Sequence, residues 1–189
     1  MLMRIAQWLI IFLLPDLRDD DLRLLCIYGC EVWLYTVLST LGLLMIGLLT
    51  NSVLETIIII TIFYLCQTNG GGFHATTHLR CFLTMTLGLL IGLMFVRLPI
   101  FRSVIPYTCF LSFLILLARP LQLHPNKEYL LENSRLLRIR SYCVTLSIAI
   151  VIVIIRFWGE NNIFYAAAVA ICLSAVSRLF AVKHSSVTF

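Results

Sequence analysis

Charge is what this sequence has least of. Asp, Glu, Lys and Arg make up 12% of its 189 residues, where a soluble domain carries roughly 25%. With 61% hydrophobic residues and a mean hydropathy of +1.00, a soluble globular domain is excluded and an integral membrane protein remains. Also lacking is any basic patch interleaved with aromatics. The net charge of +5 is spread between apolar runs, so orientation in a bilayer accounts for it and no nucleic acid partner is expected. A disulfide framework is not expected either. The seven cysteines are an odd number, and Cys66, Cys109, Cys143 and Cys172 lie in or beside apolar runs, where a thiol packs as a small hydrophobe. No small-residue cleavage site follows Met1–Leu14, because Pro15 to Arg23 is a charged run; the segment is read as retained rather than as a signal peptide. Internal repeats and low-complexity segments are absent too.

What is present is a series of apolar runs. The expected fold is an all-α integral membrane protein forming a single membrane domain over 1–189. It has six short transmembrane helices, an N-terminal interfacial amphipathic helix, and a glycine-rich break before the third transmembrane helix. Residues 1–14 place Ile5, Leu9, Phe12 and Leu13 near one helical face, too short to span but suited to the interface. Asp16, Asp19, Asp20 and Asp21 with Arg18 and Arg23 read as a solvated turn. The spans are expected at 27–50, 53–67, 81–97, 103–118, 141–158 and 163–180, with a basic loop at 119–140. Gly88 and Gly92 have the small-xxx-small spacing that lets membrane helices approach closely. Six spans put both termini, the glycine stretch and the basic loop on one side. Only Arg97, Arg102 and Arg156 then fall opposite, so the crowded side is expected to be cytoplasmic.

The chemistry concentrates between Asn69 and Cys81, N-G-G-G-F-H-A-T-T-H-L-R-C. Irregular backbone at membrane depth is tolerated where protein or a water-filled cavity satisfies it, and reactive side chains there are usually functional. Cys81 is a candidate nucleophile and His74 a candidate base, since a thiolate attacks carbonyls far better than a thiol and histidine titrates near neutrality. In an unbroken helix their spacing of seven residues would leave them about 10 Å apart along the axis, whereas proton transfer needs about 3 Å or one bridging water. The chain must therefore bend between Gly70 and Cys81, and the glycines supply the freedom to do so. A helix N-terminus beside Cys81 would favour negative charge on it. His78, one turn from Cys81, is a rival base. His74, His78 and Cys81 could also line one helical face as zinc ligands, though no glutamate follows His74 as in H-E-x-x-H and no fourth ligand is near. No metal or other cofactor is expected.

With G-G-F-H-A, a cysteine seven residues after the histidine, six short spans and a basic loop containing P-N-K, the chain resembles the AgrB family, accessory gene regulator protein B. These are membrane cysteine endopeptidases of peptide quorum sensing. The resemblance implies that Cys81 and His74 are the catalytic pair and that Gly72 shapes the site. It implies cleavage of an AgrD-like propeptide through an acyl-enzyme thioester. Release of the acidic C-terminal tail would be followed by closure of a thiolactone or lactone ring. Many members have an arginine seven residues before the histidine, where this chain has Gln67; substrate orientation is the role considered for it. Lys127 and Arg135 in the basic loop are expected to attract the acidic tail, if they do more than orient the protein. Membrane lipid is the expected surroundings and a homodimer a possible assembly. The alternative class is a peptide transporter or exporter without proteolytic chemistry, in which Glu31, Glu55 and the glycine break line a path.

Overall fold

The computed structural model describes residues 2–15, 19–72, 77–119, 134–158 and 161–185, and every regular element among them is helical. The chain divides into two compact units, 1–46 and 47–189.

The first unit holds α1 (Leu2–Leu13) and most of α2 (Asp20–Leu49). Ala6 and Ile10, one turn apart, are the buried residues of α1. Trp8 and Phe12 are 64% and 70% exposed and stack at 5.7 Å, with Ile5 and Leu13 also uncovered. Such an uncovered apolar surface on a short helix is what an interfacial helix offers to lipid. α2 starts inside the charged run. Asp19 Oδ1 accepts from the backbone N–H of Asp21 (3.0 Å) and Leu22 (3.2 Å), a helix cap, and Asp20 and Asp21 occupy the first turn, where the macrodipole favours negative charge.

The second unit begins with the end of α2. Asn51 adopts a positive φ of 51°, its N–H donates to Leu48 O (3.1 Å), and that of Ser52 donates to Gly47 O (2.8 Å). This is a Schellman closure with asparagine in the left-handed position. Then follow α3 (Val53–Gly70), α4 (His78–Arg97), a 3-10 turn (Pro99–Phe101), α5 (Ile105–Ala118), α6 (Ser134–Trp158) and α7 (Asn161–Ser185). α7 is the central element and packs against α3, α4, α5 and α6. Ala166, Ala167, Ala168 and Ala170 are all fully buried, and their small side chains let neighbours close in from every direction. At Gly92 of α4 a Cβ would lie 2.9 Å from Val169 Cγ1, whereas at Gly88 the nearest atom, on Leu173, is an ordinary 3.7 Å away. The close approach signalled by these glycines is thus made by Gly92 within the chain, against α7.

Among the described residues, five helices (α2, α3, α4, α6 and α7) are long and apolar enough to cross a membrane. α5, with fourteen residues, rises about 21 Å, short of the roughly 30 Å hydrocarbon core. It nevertheless follows α7 over most of that helix. Arg102, just before α5, donates to Asn162 (3.4 Å) and lies 5.5 Å from the centre of the Tyr165 ring. Midway, Cys172 Sγ meets Thr108 (3.7 Å), and at the far end the Leu116 and Arg119 carbonyls reach Arg178. The other arginines near Arg102's end are also engaged. Arg97 donates to the carbonyls of Thr50 and Asn51, the latter at 2.7 Å, and Arg156 lies 5.5 Å from the Phe164 ring centre. All seven cysteines are free thiols.

Candidate functional site

The glycine stretch ends one helix and leads to the next. α3 runs to Gly70, and Gly71 follows with φ 71° and ψ 179°, its N–H donating to Gln67 O (2.9 Å). That combination of angles is essentially confined to glycine. The flanking glycines answer to a different constraint, lack of room. A Cβ on Gly70 would overlap the guanidinium of Arg178, and one on Gly72 would overlap the side-chain amide of Gln67. Gln67 is held in turn by α7, its Nε2 donating to Ser177 Oγ at 2.5 Å. Gln67 Oε1 and Asn69 Oδ1 are buried with no hydrogen-bond partner among the described residues.

Thr77, in extended backbone (φ −132°, ψ 147°), caps α4, its hydroxyl accepting from Arg80 N at 3.3 Å. Cys81 donates its backbone N–H to Thr77 O at 3.0 Å and so lies in the first turn of α4, half-buried, where the macrodipole favours negative charge. His78 and Cys81 are three apart in this turn and therefore neighbours on one side of the helix, with Cβ atoms about 5–6 Å apart; His78 is exposed. His74 falls in 73–76 and Lys127 in 120–133, both outside the described residues. Arg135 is exposed in the first turn of α6.

The structure thus brings Gln67, Gly70 and Gly72 together with Ser177 and Arg178, and places Cys81 with His78 at the head of the following helix. α3 ends and α4 begins between Gly70 and Cys81, so the helix is broken in that interval. The same break interrupts the one helical face on which His74, His78 and Cys81 were considered as metal ligands, because the extended Thr77 precedes His78. Glu55 is half-buried in the first turn of α3, and Glu31 is half-buried within α2.

Arg178 and Ser177 are the residues that sequence reasoning missed. Arg178 counts there among the basic residues of one membrane side, yet it is 1% exposed. Its Nη1 donates to Leu116 O (3.2 Å) and Arg119 O (2.8 Å), and its Nη2 to Cys66 O (3.2 Å). A signal was available. Arg178 is followed by Leu-Phe-Ala-Val and so stands inside an apolar run rather than after it, where an ionisable residue needs a partner in the protein.

Comparison with curated proteins and with solved structures gives no match. The family model described as accessory gene regulator B does match, over residues 4–179, a stretch that runs from within α1 to just past the buried arginine of α7. On that extent of agreement, the chain belongs to the AgrB family.

Proposed function

We propose that this protein is a membrane-embedded cysteine endopeptidase. It cleaves the C-terminal tail from an AgrD-like propeptide and promotes cyclisation of the remainder to a thiolactone or lactone. Family membership gives the coarser part of this reading, a role in processing the autoinducing peptide of quorum sensing. The observation that carries the finer part is the place of Cys81, in the capped first turn of α4, the helix that comes next in the chain after the glycine turn. A nucleophile there has a helix N-terminus to accommodate its negative charge.

In this mechanism His74 takes the thiol proton and Cys81 Sγ attacks the scissile carbonyl. The C–N bond breaks, the tail leaves with a protonated amine, and the peptide remains as a thioester on Sγ. A cysteine or serine within the peptide then attacks the same carbonyl, closes the ring and returns the thiol. A thioester keeps the acyl group reactive for this second transfer, and enclosure in a membrane protein limits hydrolysis. Lys127 and Arg135, cationic and next to the site in the proposed topology, attract the acidic tail. Both termini and the site face the cytoplasm in this reading, as the distribution of Lys and Arg favours. A homodimer is part of the proposal, through surfaces other than Gly92, which α7 covers.

The test is co-expression with a tagged AgrD-type propeptide, followed by mass spectrometry of the peptide. Cys81→Ala, Cys81→Ser and His74→Ala are expected to leave the propeptide intact, while His78→Ala still cleaves it. Normal cleavage by Cys81→Ala would remove the nucleophile from the scheme and favour transport without chemistry.

A further inference from the structure

A guanidinium buried in an apolar bundle needs acceptors for its donors. Arg178 finds them near the carboxy-terminal ends of two other helices, at Leu116 O in the last turn of α5, at Arg119 O just after it, and at Cys66 O one turn before the end of α3. A helix leaves its last carbonyls without intrahelical donors, so the arginine completes α5 and ties α3 to it. The same guanidinium fills the space beside Gly70. One position earlier, Ser177 accepts from Gln67, whose amide fills the space beside Gly72. Two consecutive residues of α7 therefore bear on the two flanks of the glycine turn.

We infer that Ser177 and Arg178 are positioning residues for the reaction at Cys81. They hold the turn from Gly70 to Gly72 in which α3 ends, ahead of the helix that carries Cys81. The inference rests on the reading of Cys81 as the nucleophile. Stability alone is a poor reason for a buried arginine, because a well-packed apolar replacement is often neutral or stabilising. What the planar fork adds is geometry, since its donors hold carbonyls of two helices in a fixed mutual arrangement. Acyl transfer demands such accuracy, and a misplacement of about 1 Å can cost roughly a hundredfold in rate. The two residues act through the turn, at a remove from the substrate.

The experiment uses the full chain in proteoliposomes with a tagged AgrD-type propeptide, and measures kcat, KM and the melting temperature of each variant. Arg178→Lys keeps the charge and loses the fork. Its kcat is expected to fall about 10- to 100-fold while KM stays within about threefold, the mark of a contribution made in the transition state. Arg178→Met is expected to lose at least as much kcat. Gly70→Ala should impair the native chain but add no further loss to Arg178→Met, because the atoms it would meet are gone. Ser177→Ala, which leaves the buried charge in place, should lower kcat several-fold while its melting temperature falls by only about 2–4 °C, the effect of one lost hydrogen bond. This variant decides the matter should the Arg178 variants fail to insert. Wild-type kcat in folded Arg178→Lys, an additive effect of Gly70→Ala, or wild-type kcat in Ser177→Ala would each overturn the positioning role. Cys81→Ala is measured alongside. If it cleaves, the nucleophile reading falls; if it is inert while the α7 variants run at full speed, only the positioning role falls.

Discussion

Replacing each of the three glycines by alanine meets a different obstacle. At Gly71 the obstacle is backbone strain, about 1–3 kcal/mol for a side chain forced into that region. At Gly70 a methyl group displaces a buried guanidinium from carbonyls of two helices, and about 3 kcal/mol is expected from leaving such a charge without its partners. At Gly72 the methyl meets the movable end of Gln67, so the loss is the Gln67–Ser177 hydrogen bond, about 1 kcal/mol. Chemical denaturation in detergent should therefore rank the variants Gly70→Ala, then Gly71→Ala, then Gly72→Ala, and Gly72→Ala should cost nothing further in a Gln67→Ala background. Equal destabilisation by all three would contradict the separate roles. The sequence shows the glycines as a source of freedom, but the distinction between them depends on Ser177 and Arg178, more than a hundred positions away. Cys81, by contrast, draws attention in the sequence because it stands with two histidines and three glycines in a chain otherwise poor in reactive groups.

Caps decide where the helices flanking the site begin. Thr77→Ala removes the acceptor for Arg80 N and should lower stability by about 1 kcal/mol, with Thr77→Asp retaining most of it; thermal melts of the two variants check this. Asn51→Gly should be tolerated because both residues accept the left-handed conformation, whereas Asn51→Val should cost about 1–2 kcal/mol. Gly92→Leu, pressed against Val169, should cost about 1–3 kcal/mol through overpacking of α4 on α7. Long apolar runs announce their helices, so the helical character and the break at the glycines were both readable. The start of α2 was not, since aspartates that cap and open a helix have the same composition as a solvated turn. The start of α4 was hidden for a similar reason, since a threonine within T-T-H does not reveal which one caps.

Across the whole molecule, the question is whether α5 crosses. By length it falls short, yet it accompanies α7 between Asn162 and Arg178, a rise of about 24 Å along that helix. If this is the thickness spanned there, the number of crossings is even. Reporter tags at the two ends of the chain should then both report the cytoplasm, and tags on opposite sides would show that α5 turns back. Hydropathy alone could not weigh this, because it counts residues and does not see which helices end at the same level.

The centrality of α7 has a consequence for biosynthesis. A ribosome delivers α3, α4, α5 and α6 before the helix that all four pack against. Until residues 177 and 178 enter the bilayer, Gln67 lacks its serine and the carbonyls at the end of α5 lack their arginine. A nascent chain therefore carries Gln67 and the end of α5 into the membrane before their partners, and α7 completes both on arrival.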